Sequence, residues 1–165
     1  MEMSSFTVIL NQYLFTYCEV CMDVKINYVA VAVAAVVMWV IGAVWYGVLF
    51  SAQWMMYTGI TEEIAKTVSG ADNAIMMGGS LVGAFVMFYV QTHIHHAFQV
   101  KDLKGAVQAA VWSWIGFVAM VHLVNNLYQM KPFMLTLIDS GYWLISMILG
   151  GIILVKMQKK EAANP

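Results

Sequence analysis

Residues 107–155 decide the fold: VQAAVWSWIGFVAMVHLVNNL (Val107 to Leu127), the turn Tyr128-Gln129-Met130-Lys131-Pro132, and FMLTLIDSGYWLISMILGGIILV (Phe133 to Val155). Each apolar run reaches the roughly 20 residues that a helix needs to cross a bilayer core. A turn this short makes the two helices antiparallel neighbours. Polar groups are set into both, with His122, Asn125 and Asn126 near the end of the first and Asp139 shortly after the start of the second.

Composition places this hairpin in a membrane. The chain has 165 residues, 62% hydrophobic and only 10% charged, against about 25% charged in soluble domains. Its mean hydropathy is +0.76. The lipid bilayer is therefore the first expected partner. Eight lysines, no arginine and a net charge of −1 leave no basic surface for nucleic acid, which is not expected as a partner.

The other two spans follow outward from the hairpin. Residues 26–50 carry no charge and end in the aromatic cluster Trp45, Tyr46, Trp54 and Tyr57, the ring types that settle at headgroup level. Residues 74–98 start Gly-rich and end polar, and a short loop to residue 107 predicts a tight antiparallel hairpin of spans two and three. Between 51 and 73, Thr61 is placed to cap a short helix with Glu62 and Glu63 in its first turn and Gly70 at its end. Small-residue pairs Ala43/Gly47, Gly79/Gly83 and Ser146/Gly150 are expected helix-packing positions.

Before the first span, Gln12, Thr16, Glu19 and Asp23 recur three or four apart, opposite Phe6, Ile9, Leu10, Tyr13, Leu14 and Tyr17. That pattern predicts an amphipathic helix in the membrane interface over 1–25. Glu2 and the missing small-x-small site argue against a secretory signal, and Met22 is an alternative natural start. The predicted fold is all-α, a polytopic membrane four-helix bundle. It comprises the interfacial segment 1–25, a membrane domain 26–155 with spans at 26–50, 74–98, 107–127 and 133–155, and a tail 156–165. Lys25, Lys101, Lys104, Lys156, Lys159 and Lys160 fall on the side of the termini and Lys66 and Lys131 opposite. This bias predicts cytoplasmic termini in a bacterial inner, or plasma, membrane.

At about 1.5 Å rise per residue, His122, Asn125, Asn126 and Asp139 lie at matching depths, about 10 Å from the outer helix ends. Trp45 and Tyr46 reach the same level. An acidic group in lipid is costly, so Asp139 is expected to face protein or water, with His122 or an asparagine amide as its partner. The cluster reads either as a clasp between spans three and four or as a vestibule for a proton or small cation.

His93 and His96 share a helix face with Tyr89, while His95 points elsewhere. Two ligands are too few for a metal site, so the triplet reads as an interfacial cluster, with His93 and His96 only as weak metal candidates. Cys18-Glu19-Val20-Cys21 lacks a second CxxC or a βαβ context, and the adjacent pairs Met55-Met56 and Met76-Met77 do not converge on one ion. No cofactor is expected. With no catalytic motif present, a non-enzymatic role is expected, a metal-dependent membrane enzyme being the remote alternative.

A family resemblance rests on specific residues. Ile26-Asn27-Tyr28-Val29-Ala30-Val31, Gly42-Ala43-Val44-Trp45-Tyr46 and Trp54-Met55-Met56-Tyr57-Thr58-Gly59-Ile60-Thr61-Glu62-Glu63 look like the start of the family known as domain of unknown function 1761. Gly116-Phe117-Val118, Asn125, Lys131-Pro132 and Leu137-Ile138-Asp139-Ser140-Gly141-Tyr142 with Leu144-Ile145-Ser146 resemble its closing segment. The likeness covers Met22 to Val155. It implies a mostly bacterial, four-helix integral membrane protein without an agreed activity, whose motif includes Trp45, Tyr46, Asn125, Pro132, Asp139 and Tyr142. The chain departs from the pattern in its N-terminal extension and at Trp143. The functional expectation is a structural or accessory subunit, associating with itself or with other membrane subunits. The alternative is proton or small-cation transport through the outer polar pocket.

Overall fold

The computed structural model describes residues 24 to 162. The expected interfacial helix and the Cys18/Cys21 pair fall on residues 1–23, outside the described residues. The described chain is helical in six pieces: α1 Tyr28–Leu49, α2 Ser51–Thr58, α3 Glu62–Thr67, α4 Gly70–Ala97, α5 Leu103–Tyr128 and α6 Phe133–Ala162. Four of them, α1, α4, α5 and α6, are long and apolar enough to cross a membrane. In α1 and α5 the α-helical winding widens to a π turn, at Trp45–Leu49 and Ile115–Ala119. Both π turns fall in or beside two similar stretches, Trp39-Val40-Ile41-Gly42-Ala43-Val44 and Trp114-Ile115-Gly116-Phe117-Val118.

Helix starts are set by local chemistry. Asn27 Oδ1 accepts from Ala30 N at 2.9 Å, Thr61 Oγ1 from Ile64 N at 3.2 Å, and Asp102 Oδ1 from Gly105 N at 2.7 Å. Each satisfies a backbone N–H that the first helical turn leaves without a partner. Gly70 is a correction: it opens α4 instead of ending α3, because Ser69 accepts from Asp72 N at 3.1 Å and donates to its carboxylate at 2.7 Å. The final helix also runs past residue 155 to Ala162, through lysines that are good helix formers.

Packing departs from a closed bundle. The central helix is α6, with half of its most apolar window buried, against 28% for α1 and 11% each for α4 and α5. α1 packs on both α4 and α6, and α5 packs on α6. The expected tight hairpin of α4 and α5 is absent, since these sequence neighbours scarcely touch. The reason is a stronger attachment elsewhere. Ala106, Ala110 and Ala119 are buried on α5, and the Trp114 indole donates to Ser140 O on α6 at 2.7 Å, which draws α5 onto α6. Alanines let helix backbones approach closely. An apolar groove is left between α4 and α5.

The core is narrow and made of small residues. Ala30, Val31, Ala34, Ala35 and Met38 form one stripe of α1, facing Ala84 and Phe88 of α4 and Tyr142 and Leu154 of α6. Phe88 is fully buried and lies where a Cβ on Gly150 would stand. Because the obstruction is an aromatic ring inside a packed interface, it has little room to yield. Gly150→Val is therefore expected to cost at least about 1–3 kcal/mol. A thermal melt in detergent checks this, and an unchanged melting temperature would contradict the α4–α6 contact.

Candidate functional site

The site forms around three consecutive residues of α6. Trp45 Nε1 donates to Ile138 O at 3.1 Å, Tyr46 Oη donates to Asp139 Oδ1 at 3.1 Å, and Trp114 Nε1 donates to Ser140 O at 2.7 Å. A helical carbonyl has a second lone pair, so it can take an indole N–H while staying in the helix ladder. The π turn beginning at Trp45 lets two neighbours on α1 address two neighbours on α6.

Two glycines face this contact, and Gly42 is the tighter of them. A Cβ on Gly42 would stand 3.1 Å from Tyr142 Oη, and one on Gly141 would stand 3.5 Å from Trp45 Cζ2. Tyr142 Oη also donates to Met38 O, at 3.4 Å. The rings of Trp54, Tyr46, Tyr142 and Trp143 follow one another edge to face, with centroids 5.4, 5.2 and 5.4 Å apart. Edge-to-face contact is a favoured arrangement of aromatic quadrupoles. Over this end, Lys131 Nζ donates to Thr58 O at 3.0 Å, tying the α5–α6 turn to the C-terminus of α2, where positive charge meets the helix dipole.

The sequence-predicted cluster is thus redistributed. Asp139 has Tyr46 as its bonded partner, with Trp54 beside it and His122 within electrostatic reach. Asn126 is buried and donates to Thr136 Oγ1 at 3.0 Å, apart from the carboxylate. Asn125 is exposed. The hydrogen-bonded clasp on Asp139 therefore joins α1 to α6, not α5 to α6.

A second polar layer lies toward the chain termini and went unrecognised in the sequence. Gln91, Thr92 and His95 are buried on α4. Gln91 Nε2 donates to Met147 O at 3.0 Å, and Thr92 Oγ1 to Phe88 O at 2.9 Å. Gln91 Oε1, Ser146 Oγ and both ring nitrogens of His95 have no hydrogen-bond partner. Buried polar atoms are nearly always paired, so this group is exceptional among the described residues. Gly151 makes the room: a Cβ there would stand 2.8 Å from Gln91 Nε2 and 3.4 Å from the His95 ring. The findable signal was Gln91 and His95, four apart and so on one helix face, opposite a Gly-Gly pair.

The histidine triplet is corrected accordingly. His95 turns into the helix interface and is not interfacial, whereas His93 bonds Tyr89 O through Nδ1 at 3.0 Å and His96 is exposed. Among the described residues no three His, Cys, Asp or Glu side chains gather as a metal set. Of the small-residue pairs, Ser146 and Gly150 are buried between helices, while Ala43, Gly47, Gly79 and Gly83 are exposed.

Tyr46→Phe removes the one hydroxyl bonded to Asp139 and is expected to lower stability by about 1–3 kcal/mol. Asp139→Asn should lose less, because an amide oxygen still accepts from Tyr46. Melting both variants in detergent checks the order, and a reversed order would refute the clasp.

No curated protein and no solved structure matches the chain. A family model described as "Protein of unknown function (DUF1761)" matches residues 29–155. That match takes in the π turn of α1, the tryptophan of α5 and the gripped segment of α6, and the chain belongs to this family of unknown function.

Proposed function

We propose that this protein is a non-enzymatic membrane subunit that assembles with further copies of itself through the first half of α4. The observation that carries the reading is that Gly70 to Gly83 are exposed on every side of the helix, including Ile75 at 71% and Val82 at 64%. A Cβ added at Gly78, Gly79 or Gly83 would meet nothing within 4 Å. Bare glycine faces allow the close backbone approach that drives helix association in lipid. Ala43 and Gly47 are open at the same end. The lysine bias supports a cytoplasmic position for the end carrying both termini.

The test is native mass spectrometry of the full-length protein in detergent. Gly79→Leu and Gly83→Leu should shift it from oligomer to monomer with no fall in melting temperature, because neither leucine meets a neighbour inside the chain. A monomeric wild type, or variants that keep the oligomer, would remove the reading.

A second reading, proton or small-cation transport, has its own supporting observation. Gln91, whose Oε1 has no partner, lines one cavity together with His122, and His95, with neither ring nitrogen paired, lines another. Ionisable groups at membrane depth mark ion pathways. In proteoliposomes, His95→Phe and Asp139→Asn should each abolish proton flux. Wild-type flux no greater than that of empty vesicles would end this reading.

A further inference from the structure

Three cavities with shared walls run from the end of α4, past the loop 98–102 and the flank of α5, into the gap between α4 and α5. The first, about 410 Å³, is walled by His95, Lys101 and Gln158 at the end carrying the termini. It shares Gln99, Val100 and Lys101 with the second, about 600 Å³, which continues past Trp112 and Phe117. The second shares Ser113 and Phe117 with the third, about 550 Å³, which is closed by Val90, Trp143 and His122. The shared walls make one groove, basic at its mouth, mixed in the middle where Asp102, Gln108 and Ser113 stand beside Lys101, Trp112 and Phe117, and apolar at the third cavity.

We propose that this groove binds one anionic phospholipid, its phosphate against Lys101 and one acyl chain lying along α5 past Trp112 toward Phe117. Charge favours this occupant. Neither Lys101 nor Lys104 has an acidic partner among the described residues, and the neighbouring Asp102 is engaged in capping α5. His95, which borders the first cavity, is 2% exposed and neither of its ring nitrogens is paired, and no acidic side chain among the described residues on this wall opposes an anion. A second copy of the chain fits poorly, because it would bring the same lysines to the same level. Dimensions agree as well. Gly105 and His122 are separated by about 25 Å of helix, and a chain from one leaflet reaches about 15 Å, half the hydrocarbon thickness, or roughly to Phe117.

The site is separate from the assembly face, so Gly79→Leu should leave lipid retention unchanged whatever it does to oligomer state. The test is native mass spectrometry of the full-length protein in detergent with equal amounts of dioleoyl phosphatidylglycerol and dioleoyl phosphatidylcholine. Phosphatidylglycerol should be retained preferentially, one per chain. Lys101→Gln should cut that preference about fivefold, the worth of one lysine at an anionic surface. Val90→Trp, at a 47% exposed position on the groove wall, should block retention while circular dichroism stays unchanged. Equal retention of the two lipids, or a Lys101→Gln variant with undiminished preference, would overturn the proposal. So would displacement of phosphatidylglycerol by millimolar inorganic phosphate combined with indifference to Val90→Trp, which marks a free-anion site instead.

Discussion

Ile138, Asp139 and Ser140 receive three donors from two other helices, the indoles of Trp45 and Trp114 and the hydroxyl of Tyr46. The rest of the architecture depends on this grip. In lipid the hydrophobic effect does not distinguish one greasy helix face from another, so directional hydrogen bonds and close packing must choose the partners. Two tryptophans reaching backbone carbonyls two residues apart fix α1 and α5 to α6 from different sides. That choice makes α6 the hub and leaves α4 attached by only one half of its length.

The same constraint explains why small residues sit where they do. Gly42 and Gly141 admit the Tyr142 hydroxyl and the Trp45 ring, Gly150 admits Phe88, and Gly151 admits Gln91 and His95. Glycine costs helix propensity, and at Gly42, Gly150 and Gly151 it admits side chains closer than a Cβ would comfortably allow. Gly78, Gly79 and Gly83 have no such occupant in their own chain. Glycines that look alike in the sequence thus divide into those filled by a side chain and those facing outward.

The two polar layers differ in how completely they are satisfied. Around Asp139 the carboxylate, hydroxyl and indoles find partners and aromatic rings enclose them. Around Gln91 and His95 a hydrogen-bond acceptor and two ring nitrogens are unpaired in a buried setting, bordered by cavities. The first arrangement is a closed set of hydrogen bonds, and the second leaves buried polar atoms without partners in the chain.

Composition and run length by themselves determined that the described chain has four helices long and apolar enough to cross a membrane. The cap at Thr61, and the drawing together of Trp45, Tyr46 and Asp139, were legible for the same reason: a charge, a cap or an aromatic pair in an apolar run has few places to go. Adjacency was not legible. A short loop suggested that α4 and α5 pack together, but loop length limits only how far apart helix ends are, while the Trp114 bond and the alanine face of α5 decide which helix it lies against. Tertiary structure alone therefore gave Asp139 its tyrosine partner, turned His95 inward, and opened the groove, because each depends on rotation of a helix about its axis, which the periodicity of a nearly uniform apolar sequence leaves undetermined.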